Sequence, residues 1–488
     1  MKTPRLRYLM VLFALVAVLS ASSGSPSGQS VSSTSAARAA RVEKGLLPGI
    51  VIAGQPLPAK TLAERMAALK VPGASVAVIN GGVIEWAKGY GVAEAGTATP
   101  VSPHTLFQAA SISKPVAALA ALRLVEQGKL ALEEDVNARL TSWKIPENNF
   151  TGKEKVTLRR LLSHTAGLTV HGFGGYPADA PVPTLVQVLD GRKPANSDAV
   201  RVDVVPGSIY RYSGGGFTVA QQLLIDATGR PFPGLLAELV LRPVGMDDST
   251  YEQPLTAERR GTAASGHLDD GRLLPGRYHT YPEMAAAGLW TTPTDLAKFL
   301  IEIQRGLQGR SSVISTATAR EMTTVEKSRY GLGLSIEGTG PAARFGHGGS
   351  NEGFKCQMTA FVEGGRGAVV MTNGDRGYVL GMEILRAVAR EYGWPALQPV
   401  EKTVVRVDPA ALAPLAGRYE LRPGKILTVA LEGGTLFVID GKERVELYPE
   451  SETRFFELVE ENEVVFVKGA AGRATHMLIN GELKALRR

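Results

Sequence analysis

The chain has 488 residues and a single cysteine, Cys356. One thiol cannot form a disulfide within the chain, so the protein must draw its stability from packed cores. The segment around it, KCQMTAFV, has the pattern of a strand with a small buried side chain. This pattern favours a structural cysteine over a nucleophile.

Several signatures of other protein classes are also missing. The sequence has no His-Glu-x-x-His motif and no Gly-Lys followed by Ser or Thr, which argues against a zinc peptidase and a P-loop nucleotide site. It has no Gly-x-Ser-x-Gly, to which GGSNEG (348–353) comes close. The formal net charge of +7 falls to +4 without Lys2, Arg5 and Arg7, and so small a surplus does not indicate nucleic-acid binding.

The N-terminus has the organisation of a secretory signal. A basic start is followed by twelve apolar residues from Tyr8 to Leu19 and then by small residues suited to cleavage after Ser23. Twelve apolar residues are too few for a membrane anchor, which needs about 20. We therefore expect a signal peptide at 1–23, a flexible Ser/Ala-rich tether at 24–45, and a periplasmic or extracellular protein.

The remaining sequence indicates two domains. SVAVINGGVIEWAKGYG predicts a hairpin turning at Asn80-Gly81-Gly82, a mostly helical stretch follows, and strands return in RYGLGLSI, ARFGHGG and KCQMTAFVEGGRGAVVMTN. Thr292 and Pro293 mark a helix start. We expect an α/β domain with a mainly antiparallel sheet at 46–395, a linker at 396–404, and a small all-β barrel or half-barrel at 405–488.

The segment FQAASISKPVAALAALRLVEQG carries two residues that stand out in an apolar helix, Ser111 and Lys114. Positions i and i+3 share a helix face, and Pro115 must lie in the first turn, which places Ser111 at the helix start. A lysine whose pKa is lowered by burial can take the proton of a serine. Taken alone, the pattern favours an N-cap serine with a snorkelling lysine, because two fixed positions in four recur by chance.

Two further segments carry candidate residues. In PGSIYRYSGGGF, Tyr212 and Ser213 precede a Gly-rich bend, and a tyrosine near a cation can have a lowered pKa and act as a base. In RFGHGGSNEGF, His347 lies at a strand end, where Gly348 and Gly349 let a substrate approach the backbone. Either segment alone would more often be a loop or a strand terminus.

In this order and spacing, Ser-x-x-Lys, Tyr-Ser-x and His-x-Gly resemble the three motifs of the penicillin-binding protein and class C β-lactamase superfamily of serine hydrolases. LLSHTAGL, LRPVGMDDSTY and AAAGLWTTPTDLAKF also look like hallmarks of that family. The resemblance covers roughly residues 46–394, and the all-β tail is similar to a lipocalin-like domain appended to some members.

The resemblance implies a role for each motif residue. Ser111 would form an acyl-enzyme, Lys114 and Tyr212 would shuttle the proton, and His347 would position or polarise the substrate. The oxyanion hole would be formed by the backbone N–H groups of Ser111 and Ser350. The further substrate-binding residues would be Ser213, Gly348 and Gly349.

Two departures from the family pattern bear on the substrate. Gly214 stands where relatives often have asparagine, and His347 stands where many have a lysine suited to a carboxylate. Both changes weaken recognition of β-lactams and of free D-alanine carboxylates. We therefore expect D-amino-acid peptides or carboxylic esters as substrates, with β-lactamase or D-alanyl-D-alanine carboxypeptidase activity as the alternative.

Other functions stay open at this point. A penicillin-binding sensor that acylates with little turnover would use the same residues. The intact Ser111, Lys114 and Tyr212 argue against a catalytically dead scaffold whose barrel domain binds a partner, and failure of a serine-directed probe to label the protein would support it. No cofactor or metal is expected, since His164 lies in a turn and the other histidines lack ligand spacing. The expected partner is a small molecule or peptide, cell-wall peptides included, and not nucleic acid; the sequence predicts no oligomeric state. The remaining histidines are His104, His171, His267, His279 and His476.

Overall fold

The computed structural model describes residues 27–441, 443–459 and 461–488. The predicted signal segment 1–23 lies outside the described residues. The helices are α1 Ser27–Lys44, α2 Leu62–Leu69, α3 Ser113–Glu126, α4 Val136–Arg139, α5 Leu158–Leu162, α6 Leu185–Asp190, α7 Gly214–Thr228, α8 Phe232–Leu236, α9 Arg242–Val244, α10 Ala257–Arg260, α11 Met284–Ala287, α12 Pro293–Leu307, α13 Thr316–Thr323, α14 Gly377–Glu391 and α15 Pro409–Leu412.

The strands form a main sheet, a barrel and two short pairs. They are β1 Ile50–Ile52, β2 Gly73–Asn80, β3 Val83–Gly91, β4 Phe107–Gln108, β5 Trp290–Thr291, β6 Ser335–Glu337, β7 Arg344–Asn351, β8 Phe354–Phe361, β9 Gly367–Thr372, β10 Val400–Lys402, β11 Gly417–Arg422, β12 Lys425–Glu432, β13 Thr435–Asp440, β14 Glu443–Pro449, β15 Arg454–Phe456, β16 Glu463–Lys468, β17 Ala474–Ile479 and β18 Leu483–Arg487.

The main domain is a sandwich around a six-stranded antiparallel sheet in the order β3-β2-β9-β8-β7-β6. One face packs against α12 and the helical region, and the other packs against α2 and α14. This confirms the predicted α/β class and the hairpin that turns at Gly81-Gly82. The predicted strand RYGLGLSI is shorter than expected, because only β6 pairs, and Gly333 before it has a φ of +87°.

The C-terminal domain is a closed eight-stranded barrel, β11 to β18 in sequence order. Inward-facing side chains fill its interior, among them Tyr419, Phe455, Phe466 and Met477. This confirms the all-β domain and decides between the barrel and the half-barrel. β18 closes it by pairing with both β17 and β11.

The segment predicted as a flexible tether differs from that expectation, because α1 runs through it. Val42 lies in the core beneath α14, and Arg38 and Arg41 form ion pairs with Glu85 and Glu391. The Ser/Ala-rich composition was interpreted as a flexible tether, but an Ala-rich segment with regularly placed charges is also a good helix former.

The segment predicted as a linker, 396–404, contains a strand. β10 pairs in parallel with β1 and so ties the start of the barrel domain to the start of the main domain. A second tie is the ion pair of Arg386 in α14 with Glu461, which also accepts a hydrogen bond from the Gly49 N–H. Among the described residues, no helix combines the length and apolarity needed to cross a bilayer.

Candidate active site

Ser111 lies in a short 3-10 turn, Ala110–Ile112, between β4 and α3. Its neighbour Ala110 has a φ of +50°, a left-handed conformation that costs a non-glycine residue about 1 kcal/mol or more. Ser113 secures the turn, since its Oγ donates to the Ala110 carbonyl at 2.6 Å and accepts from the Leu289 N–H at 2.9 Å. The strained turn holds Ser111 partly exposed at the mouth of a cavity.

Lys114 is buried one turn later in the same segment. Its Nζ lies 2.9 Å from Ser111 Oγ and donates to the Ala286 carbonyl at 2.8 Å, while the rings of Tyr212 and Phe217 lie 4.9 and 5.9 Å away. Burial lowers the pKa of Lys114 to about 7. Near neutral pH, a large fraction of this amine is therefore uncharged and can accept a proton.

Tyr212 lies beside Ser111 and Lys114. Its ring lies 4.2 Å from that of His164 and 5.0 Å from that of His171. Burial raises the pKa of Tyr212 to about 12, and a hydrogen bond with Ser111 offsets only part of that rise. The sequence pattern indicated a pKa lowered by a nearby cation. The structure gives the opposite direction, because the effect of burial exceeds that of the hydrogen bond with Ser111, so Tyr212 is a neutral phenol at pH 7.

His347 is buried in β7, and both of its ring nitrogens have partners in the protein. Its Nδ1 donates to the Gly348 carbonyl at 2.5 Å, so its Nε2 accepts from the Tyr330 hydroxyl at 3.0 Å. Burial and the nearby Lys114 lower the pKa of His347 to about 3, which keeps the ring neutral. Because both ring nitrogens are used within the protein, His347 fits a residue that positions β7, and neither nitrogen is left to polarise the substrate.

The outer edge of β7 is open along the cavity. β6 pairs only with Arg344–Gly346, so His347–Asn351 have no outer strand partner among the described residues. The N–H and C=O of one residue point to the same edge of an antiparallel strand, and the Gly346 carbonyl faces Ser335 in β6. The N–H groups of Gly348 and Ser350 therefore face the open edge, where the sequence predicted an oxyanion donor.

The two glycines after His347 have different roles. A Cβ on Gly348 would meet nothing closer than the Cys356 carbonyl oxygen at 3.9 Å, which leaves room for a substrate. A Cβ on Gly349 would come within 2.2 Å of the Ala109 carbonyl oxygen. The absence of a side chain at Gly349 therefore serves the close packing of β7 on the Ser111 turn. Gly349 also lines the cavity, so its place in substrate binding stays a prediction.

The structure places Ser213 away from the cavity. It is the N-cap of α7, where its Oγ accepts from the Gly216 N–H at 2.9 Å and donates to the Thr169 carbonyl at 2.7 Å. Its hydroxyl is therefore fully used within the protein, in contrast to the substrate-binding role predicted for it. At Gly214, a Cβ would lie 3.1 Å from the His171 carbonyl oxygen and from the Phe173 ring, so the loop that carries these residues occupies the space of a larger side chain.

The cavity in front of Ser111 has a volume of about 630 Å³. Among the described residues that line it, Lys114 is the only lysine, and there is no arginine, aspartate or glutamate. Several of its walls do not stand in any of the sequence motifs, because short loops and a distant helix supply them. These walls are His171, Gly172, Phe173, Ala286, Ala287, Asn351 and Tyr378.

The remaining candidates have structural surroundings. His164 is buried with its Nδ1 accepting from the Ser213 N–H at 3.1 Å, and burial holds its pKa well below the ordinary value. Cys356 is buried, its thiol donates to the Gln108 carbonyl at 3.2 Å, and burial raises its pKa to about 12. Within the described ranges, no group of three or more His, Cys, Asp or Glu side chains is placed to hold a metal ion.

Comparison with known proteins gives consistent matches. The profile of the family described as "Beta-lactamase" matches residues 59–391. Penicillin-binding protein 4* of Bacillus subtilis (strain 168) is 26% identical over 415 residues, which span 81% of this chain and 90% of that protein. Esterase EstB of Burkholderia gladioli is 30% identical over 238 residues, which span 45% of this chain and 58% of that protein.

Solved structures share the fold. The octameric penicillin-binding protein homologue from Pyrococcus abyssi superposes with a TM-score of 0.60 at 23% identity. The superposition covers 87% of this chain and 98% of that one.

Proposed function

Because the chain belongs to the β-lactamase family of serine hydrolases, we propose that it cleaves uncharged carboxylic esters through an acyl-enzyme formed on Ser111. The observation that carries this proposal is the 2.9 Å contact of Ser111 Oγ with the buried amine of Lys114, in a cavity whose other described lining residues supply no fixed charge for a carboxylate or an ammonium group. A substrate that is neutral around its reacting carbonyl loses least by entering such a cavity.

The proton chemistry follows from the two pKa shifts. Neutral Lys114 donates one N–H to the Ala286 carbonyl, and its lone pair takes the proton of Ser111 as Oγ bonds to the substrate carbonyl carbon. The ammonium then returns that proton through the phenol of Tyr212 to the departing alkoxide, and the alcohol leaves. In deacylation, the same groups take a proton from water and return it to Ser111.

The developing negative charge needs donors on the carbonyl oxygen. The N–H of Ser350 on the open edge of β7 and the N–H of Ser111 are the proposed pair. Such a donor typically contributes about 100- to 1,000-fold in rate.

The open edge of β7 favours a second class of substrate. An extended peptide can pair with an unpartnered strand edge through its main chain. Amides of D-amino acids within such a peptide are therefore the second candidate, provided that no charged terminus enters the cavity.

The test is the turnover of p-nitrophenyl butyrate, a D-alanine p-nitroanilide and nitrocefin by the purified protein. Each assay is run beside Ser111→Ala and beside Ser451→Ala, which changes an exposed serine in the barrel domain. We expect steady ester turnover that falls by about a million-fold in Ser111→Ala only. Equal activity of Ser111→Ala and wild type would refute the proposal, and one equivalent of product followed by arrest would identify a sensor.

We also propose that the protein is exported, on the pattern of residues 1–23 alone. Expression of the full chain in a bacterial host, followed by N-terminal sequencing of the protein outside the cytoplasm, tests this. Cleavage near Ser23 is the expected result, and an uncleaved cytoplasmic chain would contradict it.

A further inference from the structure

A second depression adjoins the catalytic cavity on the side of α14. This trough lies between β7 and α14 and has a volume of about 160 Å³. Its floor and walls are formed chiefly by Gly346, Gly348, Tyr378, Met382, Leu385 and Leu397.

The trough adjoins the catalytic cavity. His347, Gly348 and Tyr378 line both of them. The Tyr378 side chain is 56% exposed at the start of α14, so it stands at the junction without being part of the core. A group attached to a carbonyl at Ser111 would therefore meet the trough at Tyr378, where the two linings come together.

The trough exists because β7 has glycines on the face toward α14. Gly348 lies opposite Gln357, whose Nε2 donates to the Tyr378 carbonyl at 3.2 Å, so this face of the sheet is the one that α14 covers. Neither Gly346 nor Gly348 contributes a side chain there. Any larger residue at position 348 would occupy the path, since its Cβ would project into open space.

The wall that α14 and Leu397 supply is apolar, whereas the sheet side also carries Ser335, Gln357 and Thr359. The hydroxyl of Ser335 donates to the Gly346 carbonyl, and Gln357 Nε2 donates to the Tyr378 carbonyl. Met382, Leu385 and Leu397 present methyl and thioether groups. The charged groups among the described lining residues are Glu337 and Arg344, which form an ion pair with each other. No unpaired charge is thus offered to a ligand by these residues.

We propose that the trough binds an uncharged apolar arm of the ester substrate, a short alkyl or aryl group, and that Tyr378 and Met382 determine specificity for it. This inference rests on the proposed function of the Ser111 site. Each methylene that the trough buries raises kcat/KM about fourfold, until the trough is filled.

The experiment measures kcat/KM for two series of substrates. In one series the acyl chain of p-nitrophenyl esters grows from acetate to octanoate, and in the other the alcohol of acetate esters grows from ethyl to hexyl. Wild type should gain with length in one of the two series, which tells whether the arm belongs to the acyl group or to the alcohol. The readout is the ratio of kcat/KM for the longest substrate to that for the shortest.

Three variants decide the assignment. Met382→Trp fills the trough and should bring the ratio close to one. Tyr378→Ala, at an exposed position where folding is not at risk, should lower it by removing one wall. Arg390→Ala, an exposed change three turns along α14, should keep the wild-type ratio.

A flat wild-type profile in both series, with acetate turnover intact, would overturn the proposal. So would a Met382→Trp protein that is folded by circular dichroism and keeps the wild-type ratio. The failure of the proposed function looks different, because Ser111→Ala would then hydrolyse the acetate ester as fast as wild type.

Discussion

Gly349 in β7 packs against Ala109 so closely that a Cβ at position 349 would lie 2.2 Å from the Ala109 carbonyl oxygen. The strand that carries Ser350 and the turn that carries Ser111 are thus held at backbone contact. Two elements far apart in sequence thereby bring a nucleophile and a backbone N–H donor to one cavity.

Gly349→Ala should separate these two elements. We expect a loss of about 1–3 kcal/mol in the free energy of unfolding, because a backbone atom cannot move aside as a side chain can. We also expect a fall of about 100-fold or more in kcat, since the Ser350 N–H moves away from the carbonyl oxygen.

The matched control is Gly348→Ala, where the added Cβ meets nothing closer than 3.9 Å. Its free energy of unfolding should stay within about 0.5 kcal/mol of wild type. Equal stability of the two variants in urea unfolding would show that the contact at Gly349 is not tight.

The pKa of Lys114 predicts the acid side of the pH profile. The amine must be neutral to accept the Ser111 proton, and its pKa is lowered to about 7 by burial. We expect kcat/KM for an uncharged ester to rise tenfold per pH unit below pH 7 and to level off above it. A profile that is flat from pH 5 to 8 would contradict the role of Lys114 as the base.

The burial of Lys114 also predicts that this residue lowers the free energy of unfolding. The unfolded chain protonates Lys114 below pH 10.5, whereas the folded chain holds it neutral down to about pH 7. Stability is therefore lost as the pH falls from 10.5 to 7, by up to about 5 kcal/mol. Lys114→Met should abolish turnover and raise the free energy of unfolding of the main domain at pH 7, with a smaller gain near pH 10.

Lys129→Met is the control for that gain, since Lys129 is exposed just after the same helix. Urea titrations at pH 7 and 9.5 compare the three proteins. A Lys114→Met protein less stable than wild type at pH 7 would rule out the burial penalty.

Much of the fold could be predicted because its signals are local. Gly81-Gly82 turns a hairpin and Thr292 caps α12, each within a few residues of sequence. The local sequence does not predict β18, because Ala485 is the only residue of that strand buried in the barrel, so the alternation of apolar residues that marks the other strands is absent. Its place follows from barrel closure, which no local pattern encodes.

The residues of the candidate site also differ in whether a local sequence pattern predicts them. Ser111, Lys114, Tyr212 and His347 stand in recognisable motifs, whereas Tyr330 does not. Tyr330 meets His347 only because β6 and the loop before it fold onto β7. The roles of Gly349 and Ser213 likewise depend on what lies across from them, so the motifs located these residues without revealing what they contact.

Tyr330→Phe tests the contact that the motifs did not reveal. The variant leaves His347 Nε2 buried without its donor, which should cost about 1–3 kcal/mol. We expect a lower kcat as the β7 edge loosens, while the half-exposed control Tyr210→Phe, which takes nothing from His347, should resemble wild type in both measurements. Thermal unfolding and ester turnover of the two variants decide the matter, and identical behaviour would mean that the 3.0 Å contact is dispensable.

Glu283, directly before α11, predicts a second pH dependence of opposite sign. It is fully buried, and among the described residues its carboxyl oxygens find no hydrogen-bond partner beyond the backbone N–H of Glu283 itself, which opposes only part of the effect of burial. Burial raises its pKa from 4.5 to about 8. The unfolded chain ionises Glu283 above pH 4.5 and the folded chain only above about pH 8, so stability falls as the pH rises between those values, by roughly 4–5 kcal/mol.

Glu283→Gln keeps the shape of the side chain and removes its titratable carboxyl group. The variant should match wild type near pH 4 and be more stable by several kcal/mol at pH 8, whereas the exposed control Glu363→Gln should follow wild type throughout. Between pH 7 and 8 the Glu283 slope opposes that of Lys114, which the α11 turn holds through Ala286. Each single variant therefore isolates one slope of the free energy of unfolding against pH, and the double variant Glu283→Gln/Lys114→Met should remove both slopes. A Glu283→Gln protein that keeps the wild-type pH dependence of stability would show that the buried carboxyl does not cause it.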